Sequence, residues 1–234
     1  MTSAIIVAAG QSARLGTGVD KLFLEAAGTP IVAHTWRRFD VAACIDEVVL
    51  VVRDGKQPAF DQLANRYGFV KPYRLVAGGR ERQDSVWNGL QAVSPRCELV
   101  AIQDGARPCT TPELIAATVQ AARETGAAVA AQRVADTIKE SYDGTFVARH
   151  LDRARLWAVQ TPQAFRLDII RRALGAVRKR GLVVTDDTAA CALIRQPVKL
   201  VEGAAPNPKV TTLADLPFVE LCLRAEAERA PTCG

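Results

Sequence analysis

The sequence is poor in the residues that build metal cages and histidine-based catalytic sites. Its 234 residues include only two histidines, His34 and His150, and its six cysteines are scattered without a C-x-x-C pair. This scarcity argues against a histidine-based triad and against a zinc site. Dispersed cysteines are typical of reduced thiols rather than of a disulfide framework. We therefore expect a cytoplasmic protein.

Long hydrophobic runs and concentrated charge are also absent. No run of 18 apolar residues occurs, and the brief apolar stretch near the N-terminus ends at Gly10 without a basic region before it. These features predict neither a membrane span nor a signal peptide. The formal charge of +5 is spread along the chain and forms no basic patch with interleaved aromatic residues. We expect no membrane or nucleic-acid partner, whereas a phosphorylated substrate suits the mild positive excess.

Short apolar runs alternate with stretches of helical spacing along most of the chain. The predicted strands are the run that begins at Ala4, Val48–Val52, a run ending at Val76, Leu99–Ile102, Ala127–Ala131 and Val198–Val201. The predicted helices are Thr29–Phe39, Pro58–Tyr67, Gln83–Val93, Pro112–Thr125, Arg166–Arg180, a short one starting at Thr185–Asp187, and Thr212–Ala225. Continuous apolar strands between helices predict an α/β fold with a Rossmann-like, mostly parallel sheet and helices on both faces. No linker or repeat interrupts it, so we expect one domain over residues 1–234.

The pattern changes between about residues 133 and 159. A glycine-containing turn at Tyr142–Thr145 separates two short segments, and the second, Phe146–Leu151, returns along the first. This arrangement predicts a β-hairpin. Within a parallel α/β chain such an excursion favours a lid or an oligomerisation arm over a purely decorative hairpin.

Small residues and a carboxylate follow three of the predicted strands. Gly10 follows the first strand, Gly78–Gly79 a middle one and Asp104 the next. Ligands of such sheets bind outside the carboxyl ends of the strands. The cations expected near this crevice are Arg14, Lys21, Arg107 and Lys209. Together with a carboxylate that can bind Mg²⁺, they suit a nucleoside triphosphate.

Two other nucleotide-binding classes fit less well. The loop from Gly10 to Leu15 has one of the three glycines of G-x-G-x-x-G, which disfavours a Rossmann dehydrogenase, and no G-x-x-x-x-G-K-[ST] P-loop occurs. No general base is evident. This is compatible with a nucleophile that is already an ionised phosphate oxygen.

Several blocks of sequence occur together in the order of one known family. They are Ala8–Gly10 with Arg14 and Lys21, Gly78–Val86, Asp104–Pro108, Asp136–Thr137, Leu156–Gln163, Thr185–Asp187, and Val201–Gly203 with Asn207 and Lys209–Thr211. Over essentially the whole chain this set resembles the 2-C-methyl-D-erythritol 4-phosphate cytidylyltransferases of the non-mevalonate isoprenoid pathway. The resemblance implies Mg²⁺-dependent transfer of a cytidylyl group from CTP to methylerythritol phosphate, with release of pyrophosphate. It also implies a homodimer held by the arm.

The resemblance further implies roles for individual residues. Those expected to be catalytic are Arg14, Lys21 and Lys209. Those expected at the nucleotide are Ala8, Ala9, Gly10, Gly79, Arg80, Ser85, Asp104 and Gly105, and Asp104 is the expected Mg²⁺ ligand. Those expected at methylerythritol phosphate are Thr137, Arg153, Thr161 and Arg107, with Thr137 and Arg153 from the arm of a second subunit.

Three positions depart from the family pattern, namely Ser12 in place of a glycine, Asp20 in place of a proline, and Arg80 in place of an acidic residue. Arg80 is therefore not expected to make the side-chain contact to ribose or base that an acidic residue makes there, whereas a backbone contact would survive the change. Two alternatives stay open at this point. The chain could transfer a cytidylyl group to another polyol phosphate such as ribitol 5-phosphate, or it could bind nucleotide without catalysis.

Overall fold

A seven-stranded sheet organises the fold. The computed structural model describes residues 1–10 and 20–229, and of Arg229 the backbone only. The strands are β1 (Thr2–Ala8), β2 (Glu25–Ala26), β3 (Thr29–Pro30), β4 (Glu47–Val52), β5 (Tyr73–Ala77), β6 (Leu99–Asp104), β7 (Ala127–Arg133), β8 (Lys139–Glu140), β9 (Arg149–His150), β10 (Trp157–Arg166) and β11 (Lys199–Glu202). The helices are α1 (Ile31–Val41), α2 (Gln57–Tyr67), α3 (Arg82–Ala92), α4 (Pro112–Thr125), α5 (Leu167–Lys179), α6 (Asp187–Ala192) and α7 (Leu216–Arg229).

The strand order of the large sheet is β11-β7-β10-β6-β1-β4-β5. All neighbouring strands run parallel except β10, which is antiparallel to both β6 and β7. The expected mostly parallel sheet is thus confirmed. Strand β1 is flanked by β6 and β4, and β4 pairs with β5, so the carboxyl ends of these four parallel strands lie side by side.

The sequence pattern did not predict the short strands β2 and β3, which place Thr29–Pro30 ahead of α1 and not in its expected first turn, and it did not predict the long strand β10. We expected the arm to continue to residue 159 and a helix to begin at Arg166, with no strand between them. The segment does not resemble a buried central strand, because it contains the polar residues Gln160, Thr161 and Gln163 and a proline, which central strands usually exclude. The register against β7 shifts between Val159 and Gln163, and Pro162 lies in this irregular part of the strand.

Helices cover both faces of the sheet, as expected. Successive side chains of a strand point to opposite faces. Ala4 and Ile6 of β1 therefore pack in one core cluster with residues of α1, α2, α4 and α7. Ile5 packs in the other, with residues of α3, α5 and α6. None of the helices in the described part of the chain is long and apolar enough to cross a membrane.

The predicted hairpin is present, although its strands are short. Only Lys139 and Glu140 pair with His150 and Arg149, and residues 141–148 connect them. Tyr142 at 79% and Phe146 at 75% are strongly exposed near its tip. The hairpin leaves the sheet after β7 and returns at the amino end of β10, which is the edge where the parallel strands end.

The closing helix begins later than predicted. Helix α7 starts at Leu216, because Thr212–Asp215 form a capping turn instead of a first helical turn. The Asp215 carboxylate accepts hydrogen bonds from the N–H groups of Thr211 and Thr212 at 2.7 and 2.8 Å. Side chains that bind the local backbone in this way favour caps over helix interiors.

The contact between α3 and the sheet predicts the effect of a substitution at Gly89. A Cβ atom at this helical glycine would lie 2.6 Å from Ile5 Cγ2 and 3.0 Å from Val51 Cγ2, both in the core. Gly89→Ala gains about 1 kcal/mol of helix propensity, but over-packing costs about 1–3 kcal/mol. We expect lower stability in urea denaturation. Gly175→Ala in α5 is the matched control, because nothing lies within 4 Å of its Cβ position, and it should raise stability. A stabilised Gly89→Ala variant would contradict this packing.

Candidate active site

The carboxyl ends of β1, β4, β5 and β6 surround an open crevice of about 690 Å³. Among the described residues, the cations that line it are Lys21, Arg53, Arg80, Arg82 and Lys209. The carboxylates that line it are Asp54, Glu81 and Asp104. The excess of cations favours an anionic ligand, and the crevice lies where open α/β sheets bind ligands.

Glycines allow two loops to approach each other at the wall of the crevice. A Cβ atom on Gly78 would lie 2.2 Å from Ala9 Cβ, and one on Gly79 would lie 2.3 Å from Asp84 Cβ. The Gly79 N–H donates a hydrogen bond to Ser85 Oγ at 3.1 Å. Ser85 is 3% exposed. The predicted nucleotide contacts Ala9, Gly79 and Ser85 are therefore neighbours at the crevice.

Asp104 is the electrostatic centre of the crevice. Its Oδ1 accepts a hydrogen bond from Arg82 Nε at 3.2 Å, and its Oδ2 lies 2.7 Å from Lys209 Nζ. Arg107 Nε lies 3.9 Å from the same Oδ2 atom. Burial opposes ionisation of this carboxyl, but the charges of Arg82, Lys209 and Arg107 outweigh it and lower its pKa to about 2. Asp104 is thus an anion at neutral pH.

A polar network behind the crevice supports Asp104. The Asp104 N–H donates to Thr161 Oγ1 at 3.1 Å, and Asn207 Nδ2 donates to the Thr161 carbonyl at 2.8 Å. Arg107 Nη1 donates to the Asn207 carbonyl at 2.6 Å. Burial lowers the pKa of Arg107, and the negative charge of Asp104 only partly offsets this effect. In this structure Thr161 and Arg107 lie behind the crevice wall, so their predicted contact with substrate stays a prediction.

The other predicted residues are distributed between the crevice and the arm. Those that line the crevice are Ala9, Gly10, Lys21, Gly79, Arg80, Ser85, Asp104, Gly105 and Lys209. Ala8 is buried beside them at 4% exposure. Thr137 and Arg153 are exposed on the arm, where Arg153 Nη1 donates to the Ala135 carbonyl. Arg14 and Ser12 lie outside the described residues.

Two departures from the family pattern have visible consequences. The Asp20 carboxylate accepts a hydrogen bond from the Leu22 N–H at 3.3 Å and so caps the short turn that carries Lys21. The Arg80 side chain is 92% exposed, so it extends from the crevice rim into solvent.

The IspD family model, 2-C-methyl-D-erythritol 4-phosphate cytidylyltransferase, matches residues 2–225. A protein of that description from Pelotomaculum thermopropionicum is 42% identical over 233 residues, which is 99% of this chain and 98% of the relative. One from Geobacillus kaustophilus is 44% identical over 220 residues, covering 94% of this chain and 96% of the relative. The chain belongs to the IspD family.

A solved structure of this family has the same fold. The 4-diphosphocytidyl-2C-methyl-D-erythritol synthase from Anaerococcus prevotii matches with a TM-score of 0.84 at 31% identity, over 95% of this chain and 98% of the other. As an IspD protein, the chain is a nucleotidyltransferase of the non-mevalonate pathway. It converts CTP and 2-C-methyl-D-erythritol 4-phosphate to 4-diphosphocytidyl-2-C-methyl-D-erythritol.

Sequence reasoning missed two charged residues at this IspD site. Arg82 Nη1 donates a hydrogen bond to Asp187 Oδ2 at 2.7 Å, in addition to its contact with Asp104. Arg53 Nη2 donates to the Gly10 carbonyl at 3.1 Å and lies 3.9 Å from Asp20 Oδ2. Arg82 lies in the Gly78–Val86 block that carries the family resemblance, so the sequence offered a signal for it. No such block contains Arg53.

The donor set of the crevice fits a hard divalent cation that is shared with phosphate. No group of three or more His, Cys, Asp or Glu residues able to hold a metal occurs within residues 1–10 and 20–229. Mg²⁺ commonly takes one or two protein carboxylates, with substrate phosphates and water as the remaining ligands. Asp104, ionised and facing the crevice, is a suitable single protein ligand.

The low pKa of Asp104 predicts how its replacement affects stability. A folded-state pKa of about 2, below the ordinary 3.8, contributes roughly 2 kcal/mol that is present above the unfolded pKa and lost as the pH falls toward the folded one. Asp104→Asn should therefore reduce the free energy of unfolding at pH 7 by roughly this amount. The difference in the free energy of unfolding between the wild type and Asp104→Asn should fall to about half of its pH 7 value near pH 3.

Urea denaturation at both pH values checks this expectation. Asp54→Asn is the control, because Asp54 is exposed on the same crevice and should change stability little at either pH. An Asp104→Asn deficit that is the same at both pH values would contradict the assigned ion pairs.

Proposed function

We propose that the crevice binds CTP with its triphosphate among Lys21, Lys209 and Arg82, and that the phosphate of methylerythritol phosphate attacks the α-phosphorus in line. The observation that carries this proposal is Asp104, an ionised carboxylate held between cations at the carboxyl end of β6. Opposite charges are thereby pre-arranged beside the bound phosphates. Such fixed charges stabilise the charge that develops in phosphoryl transfer without reorganising.

The chain's residues position the reactants and offset charge. Lys21 lines the crevice from a capped turn. Lys209 also lines it and forms an ion pair with Asp104. We assign Arg14, Lys21 and Lys209 the catalytic role, with Arg14 expected on the loop that follows Gly10. Ala8, Ala9, Gly10, Gly79, Ser85 and Gly105 would select cytosine and ribose largely through backbone groups. Arg80 would contribute only its backbone, since its side chain extends into solvent.

Asp104 would hold Mg²⁺, which when bound supplies a Lewis acid that neutralises phosphate charge. The nucleophile needs no protein base, because a phosphate monoester is ionised at neutral pH.

The arm would complete the substrate site from a second subunit. An isolated two-stranded hairpin is marginally stable in water, and exposed aromatic residues mark interaction surfaces. Tyr142 and Phe146 near the tip have this exposure, and the base of the arm lies at the crevice edge. We propose a homodimer in which Thr137 and Arg153 of one subunit bind methylerythritol phosphate in the crevice of the other, with Thr161 and Arg107 as further contacts.

The domain organisation and the cellular compartment complete the proposal. The chain would act as one nucleotidyltransferase domain over residues 1–234, because both core clusters lie on the same sheet. It would work in the cytoplasm, since its five described cysteines are free thiols.

Pyrophosphate release tests the reaction. Purified protein with Mg²⁺ and CTP should release pyrophosphate with methylerythritol phosphate and not with ribitol 5-phosphate, and ATP, GTP and UTP should not replace CTP.

Lys21→Ala and Arg14→Ala should lower turnover by about 100-fold or more, because both offset charge at phosphorus, while their unfolding curves stay near the wild type. Release with ribitol 5-phosphate alone, or an active Lys21→Ala enzyme, would refute the corresponding assignment.

Combining two impaired variants, with activity measured at limiting methylerythritol phosphate, tests the shared site. Lys21→Ala and Arg153→Ala place their lesions in the crevice and on the arm. In a hybrid dimer one site combines an intact crevice with an intact arm, so co-expression should restore about a quarter of wild-type activity. Arg153→Ala alone should raise KM for methylerythritol phosphate and leave CTP affinity little changed. If co-expression restores no activity beyond that of the separate variants, or if Arg153→Ala abolishes CTP binding, the placement of the arm is wrong.

A further inference from the structure

Asp187 is a fully buried carboxylate that the proposed chemistry does not use. It lies at the start of α6 with 0% exposure and is not among the residues that line the crevice. Its N–H donates to Gln163 Oε1 at 3.2 Å, and its Oδ2 accepts from Arg82 at 2.7 Å. Its Oδ1 has no hydrogen-bond partner among the described residues. Burial raises the pKa of Asp187, and the Arg82 guanidinium bonded to its Oδ2 opposes that rise and pairs with the carboxylate.

Arg82 bridges this buried carboxylate to the one in the crevice. Its Nη1 contacts Asp187 and its Nε contacts Asp104, which are 105 and 22 positions away in sequence. Both carboxylates are largely shielded from solvent, with side-chain exposures of 1% and 12%. A guanidinium can otherwise bind a single carboxylate through two parallel hydrogen bonds. In this structure Arg82 instead divides its donors between the two carboxylates, with Nε on Asp104 and Nη1 on Asp187.

The second oxygen of Asp104 is in turn occupied by a more accessible cation. Lys209 Nζ lies 2.7 Å from Oδ2, and its side chain is 37% exposed. Within residues 1–10 and 20–229, the Arg82 side chain, which is 29% exposed, has two ionic partners, whereas Lys209 has one. Arg82 is thus the anchored member of the pair, and Lys209 is the one that can exchange.

We propose that Asp187 is a positioning residue, which holds Arg82 on one oxygen of Asp104 and so leaves the other oxygen and Lys209 available to ligands in the crevice. This inference rests on the proposed cytidylyl transfer in that crevice. Without the Asp187 charge, Arg82 turns fully onto Asp104 and displaces Lys209. Turnover then falls although Asp187 itself contacts no substrate.

A double-mutant cycle tests this dependence. Asp187→Asn keeps the shape and removes the charge, and it should lower kcat/KM by about ten-fold or more, mainly through kcat. In an Arg82→Gln background the same change should alter kcat/KM by less than about two-fold, since the residue it acts through is gone. Equal effects in both backgrounds would overturn the proposal. Asp186→Asn is the matched control, because it removes a neighbouring charge that caps α6 and does not contact Arg82.

The Nε signal of Arg82 in ¹H–¹⁵N spectra provides a readout that needs no turnover. It is assigned by its loss in Arg82→Gln. It should exchange slowly with solvent in the wild type and in Asp186→Asn at the same chemical shift, whereas in Asp187→Asn it should appear at a changed shift, because Arg82 then binds both oxygens of Asp104. An unchanged signal in Asp187→Asn would overturn the proposal even if the enzyme transfers cytidylyl groups. The spectra are recorded without substrate, so an inactive wild type would count against the proposed reaction and not against this inference.

A second substitution keeps the proposal testable if Asp187→Asn does not fold. Arg82→Lys leaves a cation for Asp187, so it should fold, but an ammonium lacks the planar fork that spans two carboxylates. It should lose about ten-fold or more of kcat/KM. Wild-type turnover in Arg82→Lys would overturn the proposal.

Discussion

The ionised, largely buried Asp104 is the interaction on which the crevice depends. A carboxylate in this position is stable only because Arg82, Lys209 and Arg107 surround it, and each of these cations comes from a different part of the chain. The segment that carries Lys209 is also held by its backbone to the chain just after β6, because the Val210 N–H donates a hydrogen bond to the Ala106 carbonyl at 2.8 Å. One charge therefore ties together the carboxyl end of β6, the start of α3 and the chain that follows β11.

This arrangement also explains how a crevice rich in cations stays open before an anion arrives. Unpaired cations repel one another, whereas here part of their charge is balanced by Asp104 and by Asp187 behind it. A polyphosphate can then replace Asp104 as the partner of Lys209, while Arg82 stays between the two carboxylates. Pre-arranged charge of this kind favours the transition state, because little reorganisation accompanies the reaction.

Features with a local signature could be predicted from sequence, and those that depend on distant partners could not. The run after Ala4 and the strand that ends at Asp104 were predicted because continuous apolar residues followed by a small or acidic one are a short-range pattern. Strand β10 was missed because its buried Gln163 and Thr161 are polar, and the partners that satisfy them, among them Asp186 and the Asp104 backbone, are distant in sequence. The pairing of Arg82 with Asp187 spans 105 positions, and no periodicity indicates it. The roles of Arg153 and Thr137 came from family resemblance alone.

A crystal structure of the protein with Mg²⁺ and CTP tests the central claim most directly. The account predicts the triphosphate in the crevice between Lys21 and Lys209, and Mg²⁺ at about 2.1 Å from an Asp104 oxygen and from phosphate oxygens. Arg82 should still bridge Asp104 and Asp187 in that complex. A triphosphate bound elsewhere, or a metal held without Asp104, would contradict the account.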